Sequence, residues 1–149
     1  MGKGVSNLEA RRQNFSRKRA AILAALRETR CHPTAEWVYR TLKPQYPDLS
    51  LATVYRNLNH LRETGQVVSL GSIGGYERFD GELRPHAHLI CQGCGAVVDL
   101  WQGSPSPEEL AAVAKEAGCR IHGVSVAFTG LCPECVKKEE QHGAEEDHL

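Results

Sequence analysis

Nowhere in the 149 residues does an apolar run approach the roughly 18 residues of a membrane-spanning helix, and the charged N-terminal stretch lacks the apolar block of an export signal. A helical span is therefore excluded, and a cytoplasmic location is expected. Net charge is missing too, with 18 Lys+Arg set against 18 Asp+Glu. That balance hides a division. Residues 1–66 carry 12 basic and 5 acidic side chains, and residues 67–149 carry 6 and 13, so the two parts are +7 and −7. A basic half suits a polyanion, and an acidic half suits cations or plain solubility. Hydrophobic residues make up 41% of the chain, enough to build the core of one domain or of two small ones.

Six cysteines are present. Without an export signal, a reducing compartment favours thiolate ligation over disulfides. Cys91-x-x-Cys94 fits a tight knuckle, and Cys132-x-x-Cys135 repeats its spacing after a long insertion. The four thiolates make a closed tetrahedral set suited to structural zinc. Cys31 and Cys119 are left over and are expected to be small buried hydrophobes. Just before the first knuckle stands His86-Ala-His88. If a strand begins at His86, its two-residue period puts both imidazoles on one face, where they can converge on an ion. Two different metal sites side by side are thus expected.

The basic half reads as three helices and a hairpin. Ser16 is the expected N-cap of the first helix, with Ile22, Leu23 and Leu26 at helical spacing. Thr34 caps the second, whose apolar side is Trp37, Val38 and Leu42, and Lys43-Pro-Gln-Tyr-Pro47 breaks it. Ser50 caps the third, which runs to about Thr64 with Leu51, Val54, Leu58 and Leu61 as one buried stripe. Its other surfaces present Ala52, Thr53, Tyr55, Arg56, Asn59 and His60, a set suited to a DNA groove. Residues 67–72 and 76–79 then form the hairpin. This order is that of a winged helix-turn-helix. Pattern alone leaves a solvated helix on an ordinary α+β domain equally open.

In the acidic half, strands are expected around residues 88–91 and 96–100 and over a longer stretch, 120–128. Between them Ser106 caps a helix with Pro107 at its first position and Gly118 past its end. So small a sheet is short of core, and a homodimer would complete it. The Glu-rich tail, 137–149, is expected to be disordered.

The wording HPTAEWVY (32–39), SLATVYRNL (50–58), ERFDG (77–81), HAHLICQGCG (86–95) and CPEC (132–135) resembles the ferric uptake regulator family, over about 16–135. The resemblance implies an α+β chain with a winged-helix DNA-binding domain over 1–80, its first ten residues flexible, and a small α/β dimerisation domain over 81–136. It also implies metal-loaded homodimers that repress by occupying palindromic operator DNA, with Tyr55 and Arg56 at the major-groove positions. In the peroxide-sensing branch the regulatory ligands match His32, Asp80, His86, His88 and Asp99. Singly these would be turn and strand residues, and only their joint match assigns them.

Three imidazoles and two carboxylates suit iron(II) or manganese(II). Aspartate at Asp99, where iron sensors more often carry glutamate, implies peroxide sensing through oxidation of His32 or His86. An iron-supply repressor is the alternative. The further site of many iron sensors is incomplete, because Val124 stands at its histidine position and His122 lies two residues away. A metallohydrolase would need an open metal position and a general base, and five protein ligands leave neither. No enzyme is expected. A zinc-ribbon interaction module without DNA binding is the remaining contender.

Overall fold

Hydroxyl side chains placed just ahead of helical sequence set the start of most helices. The computed structural model describes residues 6–146, with side chains through residue 143. Ser6, Thr34 and Ser50 cap α1 (Asn7–Glu28), α2 (Ala35–Leu42) and α3 (Leu51–Glu63), each accepting the N–H three residues on. The cap of the first helix thus lies ten residues before the expected one, Ser16, which is inside the helix. Ser6 and Glu9 form a reciprocal capping box, and the charged turns that follow carry no apolar stripe to reveal them. Residues 6–10, expected to be flexible, therefore belong to the cap and first turn of α1, and residues 1–5 lie outside the described residues.

The chain divides into two units after Leu83. In the first, α3 leads into the antiparallel hairpin of β1 (Val68–Ile73) and β2 (Tyr76–Asp80), which completes the winged helix-turn-helix order. One apolar cluster holds it together, with Ile22, Val38, Val54, Leu58, Leu61 and Phe79 at most 1% exposed. The face of α3 that meets this cluster also buries two polar residues. Asn57 is fully buried, donating to the Thr53 carbonyl at 2.9 Å and accepting from Arg19 Nε at 3.0 Å. Thr53, expected on the exposed face, is 7% exposed, and its hydroxyl lies 2.9 Å from that of Ser50.

The second unit has one sheet in the order β4-β3-β5. Strand β3 (Ala87–Cys91) pairs antiparallel with β4 (Val97–Leu100) and parallel with β5 (Ala127–Gly130). Ser106 and Glu109 form the capping box of α4 (Pro107–Ala117), which ends at Gly118 in the left-handed conformation, φ 61°. The long strand expected over 120–128 is shorter and later. The ladder with β3 covers residues 127–130, preceded by one bond from His88 N–H to the Val126 carbonyl, and 119–126 adopt no regular structure. After β5 comes α5 (Pro133–Glu146), so residues 137–146, expected to be disordered, are helical, with Lys137 3.4 Å from Glu134 on the same face. Residues 147–149 lie outside the described residues. Helix α4 buries none of its residues, and Val113, Val124 and Phe128 are about half exposed. Cys31 and Cys119 are exposed rather than buried as expected. No described helix is long and apolar enough to cross a membrane.

Candidate metal centres and the exposed face of α3

Strand β3 delivers Cys91 at its end, and the knuckle then turns back on itself: Gly95 N–H donates to the Cys91 carbonyl, and Cys91 N–H to the Ala96 carbonyl. This presents Cys94. Beyond β5, Cys132 and Cys135 flank and enter the first turn of α5. One sulfur from each of the four lies within 4.8 Å of the others, and Cys94 and Cys132 are 3.7 Å apart. Zinc–sulfur bonds of about 2.3 Å place tetrahedral sulfurs about 3.8 Å apart, so the set fits zinc. Gly93 is required sterically, since a Cβ there would stand 2.9 Å from Cys135 Sγ.

Electrostatics point the same way. The Cys132 N–H, reaching Cys91 Sγ at 3.2 Å, holds the Cys91 thiol down to about 6, helped by N–H groups of the knuckle. Cys135 is pushed up to about 12, first by Cys91 and then by Cys132. One thiolate is thus ready-made, and Cys135 resists further negative charge unless a cation joins the set.

The five histidine and aspartate candidates fall into two groups. In the first unit, His32 lies in the loop before α2 and Asp80 ends β2, with His32 Nε2 3.6 Å from Asp80 Oδ2. Both are buried. His32 adopts φ +50°, the only left-handed non-glycine among the described residues. Its loop is stitched to β2: Arg78 Nη1 donates to the carbonyls of Cys31 and His32, and Phe79 N–H to that of Pro33. In the second unit, His86 and His88 do share a face, their rings 4.5 Å apart, although β3 starts one residue after His86. Asp99 is the cross-strand partner of His88. Its Oδ1 lies 3.2 Å from His86 Nε2 and 3.5 Å from His88 Nε2. Nitrogen and oxygen donors so arranged suit a divalent first-row metal.

On α3, Ala52, Tyr55, Arg56, Asn59 and His60 are exposed. Arg56 is also anchored, donating to Thr53 Oγ1 at 3.2 Å with its guanidinium 5.4 Å from the Phe15 ring. On α1, Arg17 is exposed. Lys18, the next residue, is buried and held 2.9 Å from Asp48.

Residues 11–129 match the ferric uptake regulator family. The chain belongs to that family. Among its relatives is the peroxide operon regulator of Bacillus subtilis strain 168, 39% identical over 82% of this chain and 83% of its own length. The peroxide-responsive repressor of Staphylococcus saprophyticus is 32% identical over 90% of each chain. The peroxide stress regulator of Campylobacter jejuni, a solved structure, superposes with a TM-score of 0.73 at 28% identity, over 90% of this chain and all of that one. Family membership gives the two donor sets, one of sulfur and one of nitrogen and oxygen, a common setting: a transcription regulator rather than an enzyme.

Proposed function

We propose that this chain is a cytoplasmic metal-dependent repressor that binds palindromic operator DNA as a homodimer and releases it on exposure to peroxide. The observation that carries the peroxide reading is Asp99, a short carboxylate facing two imidazoles, in a chain whose relatives are peroxide regulators. Zinc is assigned to Cys91, Cys94, Cys132 and Cys135, where no position remains open for a substrate. A regulatory iron(II) or manganese(II) ion is assigned to His32, Asp80, His86, His88 and Asp99. Iron(II) there supplies the electrons that reduce peroxide.

The chain's own residues do the rest. His32 and Asp80 stand in the DNA-binding unit and the other three in the second unit, so shared ligation couples metal loading to operator affinity. A difference of about 3 kcal/mol between two states shifts binding about a hundredfold. Oxidation of His32 or His86 removes a lone-pair donor and with it that coupling. Among the exposed apolar residues of the second unit, Val113, Val124 and Phe128 are assigned to the homodimer contact.

The test is operator binding by the iron- and manganese-loaded proteins before and after peroxide, with peptide mass spectrometry. The iron form should leave DNA with an added oxygen on His32 or His86, and the manganese form should stay bound. An iron form that remains on the operator with both histidines intact would turn the assignment to iron supply. Tyr55 and Arg56 are the proposed groove contacts. Arg56→Ala should cost about 1–3 kcal/mol in operator affinity and relax sequence preference, and Arg17→Ala should weaken all sequences alike with a lower salt slope. Unchanged operator preference in Arg56→Ala would remove that residue from base reading.

A further inference from the structure

The His86 imidazole is bracketed on more than its metal-facing side. Its Nδ1 lies 2.7 Å from the backbone carbonyl of Arg84. A carbonyl only accepts, so Nδ1 carries a proton, and Nε2, which faces Asp99 Oδ1 at 3.2 Å, is the nitrogen left to ligate an ion, which would displace any proton shared with that carboxylate. Pro85 stands between the two residues and locks φ, which limits how far that carbonyl can swing. The ring itself stacks on Trp101, with centroids 4.7 Å apart and planes 29° from parallel, and the Arg84 guanidinium lies 4.7 Å from the centre of the same indole.

Trp101 is in turn held by its own turn. Gly103 N–H donates to the Leu100 carbonyl, and a Cβ on Gly103 would stand 2.7 Å from that of Ala87, the residue after His86. The turn carrying the indole therefore packs closely on the start of the strand carrying the histidine.

We infer that Trp101 and Arg84 are positioning residues that hold His86 in the tautomer and ring orientation in which Nε2 takes the regulatory ion, an assignment that rests on the proposed ligand set. Neither touches the ion through its own side chain. The indole limits rotation about the bond that aims the imidazole, and the carbonyl fixes which nitrogen is bare.

The experiment uses the full-length, zinc-loaded protein and manganese(II) as the probe. Nitrogen-15 imidazole spectra of the manganese-free protein, with His86 assigned by its loss in His86→Gln, should show the proton on Nδ1. Trp101→Leu should weaken manganese binding by about tenfold at unchanged zinc content and should mix the His86 tautomers. Trp101→Phe, which keeps a ring to stack on, should recover most of the affinity and the single tautomer. An Nδ1 without its proton in the parent protein, or Leu and Phe variants that bind manganese alike, would overturn the inference. If Trp101→Leu does not fold, the parent spectrum and the Phe variant still decide. Unchanged manganese binding in His86→Gln would instead overturn the ligand set itself, so the two failures are distinguishable.

Discussion

The two units solve the problem of stability by different means. The first closes on a continuous apolar cluster from Ile22 to Phe79 that draws on all three helices and the hairpin. In the second, the buried apolar residues are Ala87, Val97 and two of the four cysteines, while α4 buries nothing. Hydrophobic burial at about 25 cal/mol per Å² suffices for the first. A three-stranded sheet with so little beneath it calls for further support, which the proposed zinc and homodimer contact would supply. The lesson is that one small chain can join a half closed on its own apolar core to a half that buries little. The two tryptophans allow the contrast to be measured, since Trp37 reports on the first unit and Trp101 on the second.

The largest effect should come from Cys132→Ser. It removes a sulfur ligand, the one 3.7 Å from Cys94 Sγ, and structural zinc sites contribute on the order of 10 kcal/mol to folding. Loss of stoichiometric zinc should accompany a collapse of the Trp101 transition, while that of Trp37 stays in place. A variant that keeps its zinc and a normal Trp101 transition would erase the distinction between the units. Leu58→Ala is the mirror experiment. Leu58 is fully buried, so its truncation should cost about 2–5 kcal/mol in the Trp37 transition and leave zinc content untouched.

The smallest effect concerns Asp48. Its hydrogen bond from Lys18, followed by a weaker one from Asn14, holds the carboxyl below its ordinary 3.8. A depressed carboxyl contributes stability above that value and loses it as pH falls through the folded-state value. Asp48→Asn should therefore lower the Trp37 melting temperature slightly near neutral pH, by much less than Leu58→Ala. The parent and the variant should converge well below pH 3.8. A difference that persists in acid would assign the effect to packing.

What could be read in advance follows from how local each signal is. The caps Thr34, Ser50 and Ser106 and the two cysteine knuckles are short-range features, and each acts where its spacing implies. Apolar periodicity could not find the first turns of α1, because those turns bury nothing before Lys18. Nor could it find Asn57, a polar residue on the buried face whose role exists only once Arg19 is brought beside it. Residues 120–126 carry the β-branched Ile121, Val124 and Val126 that favour a strand, but a strand needs a ladder, and the ladder of β3 pairs with 127–130. Among the candidate ligands, the pairing of His88 with Asp99 follows from strand register. The stack of His86 on Trp101 depends on how a turn folds back, which no spacing rule encodes.

The parallel pairing of β3 with β5 sets Cys91 beside Gly130, and the Cys132 N–H reaches the Cys91 sulfur from 41 residues away in the chain. The segment between, with α4 and the irregular stretch 119–126, is a long excursion whose neck is fastened by thiolates and ladder bonds. A covalent cross-link over such an excursion removes about 4 kcal/mol of unfolded-chain entropy, and zinc serves as its releasable counterpart. The polypeptide bond is then not what keeps the two sides together. Cleaved once within 119–126, the second unit remains a single particle held by a clasp, and a chelator rather than a protease is what parts it.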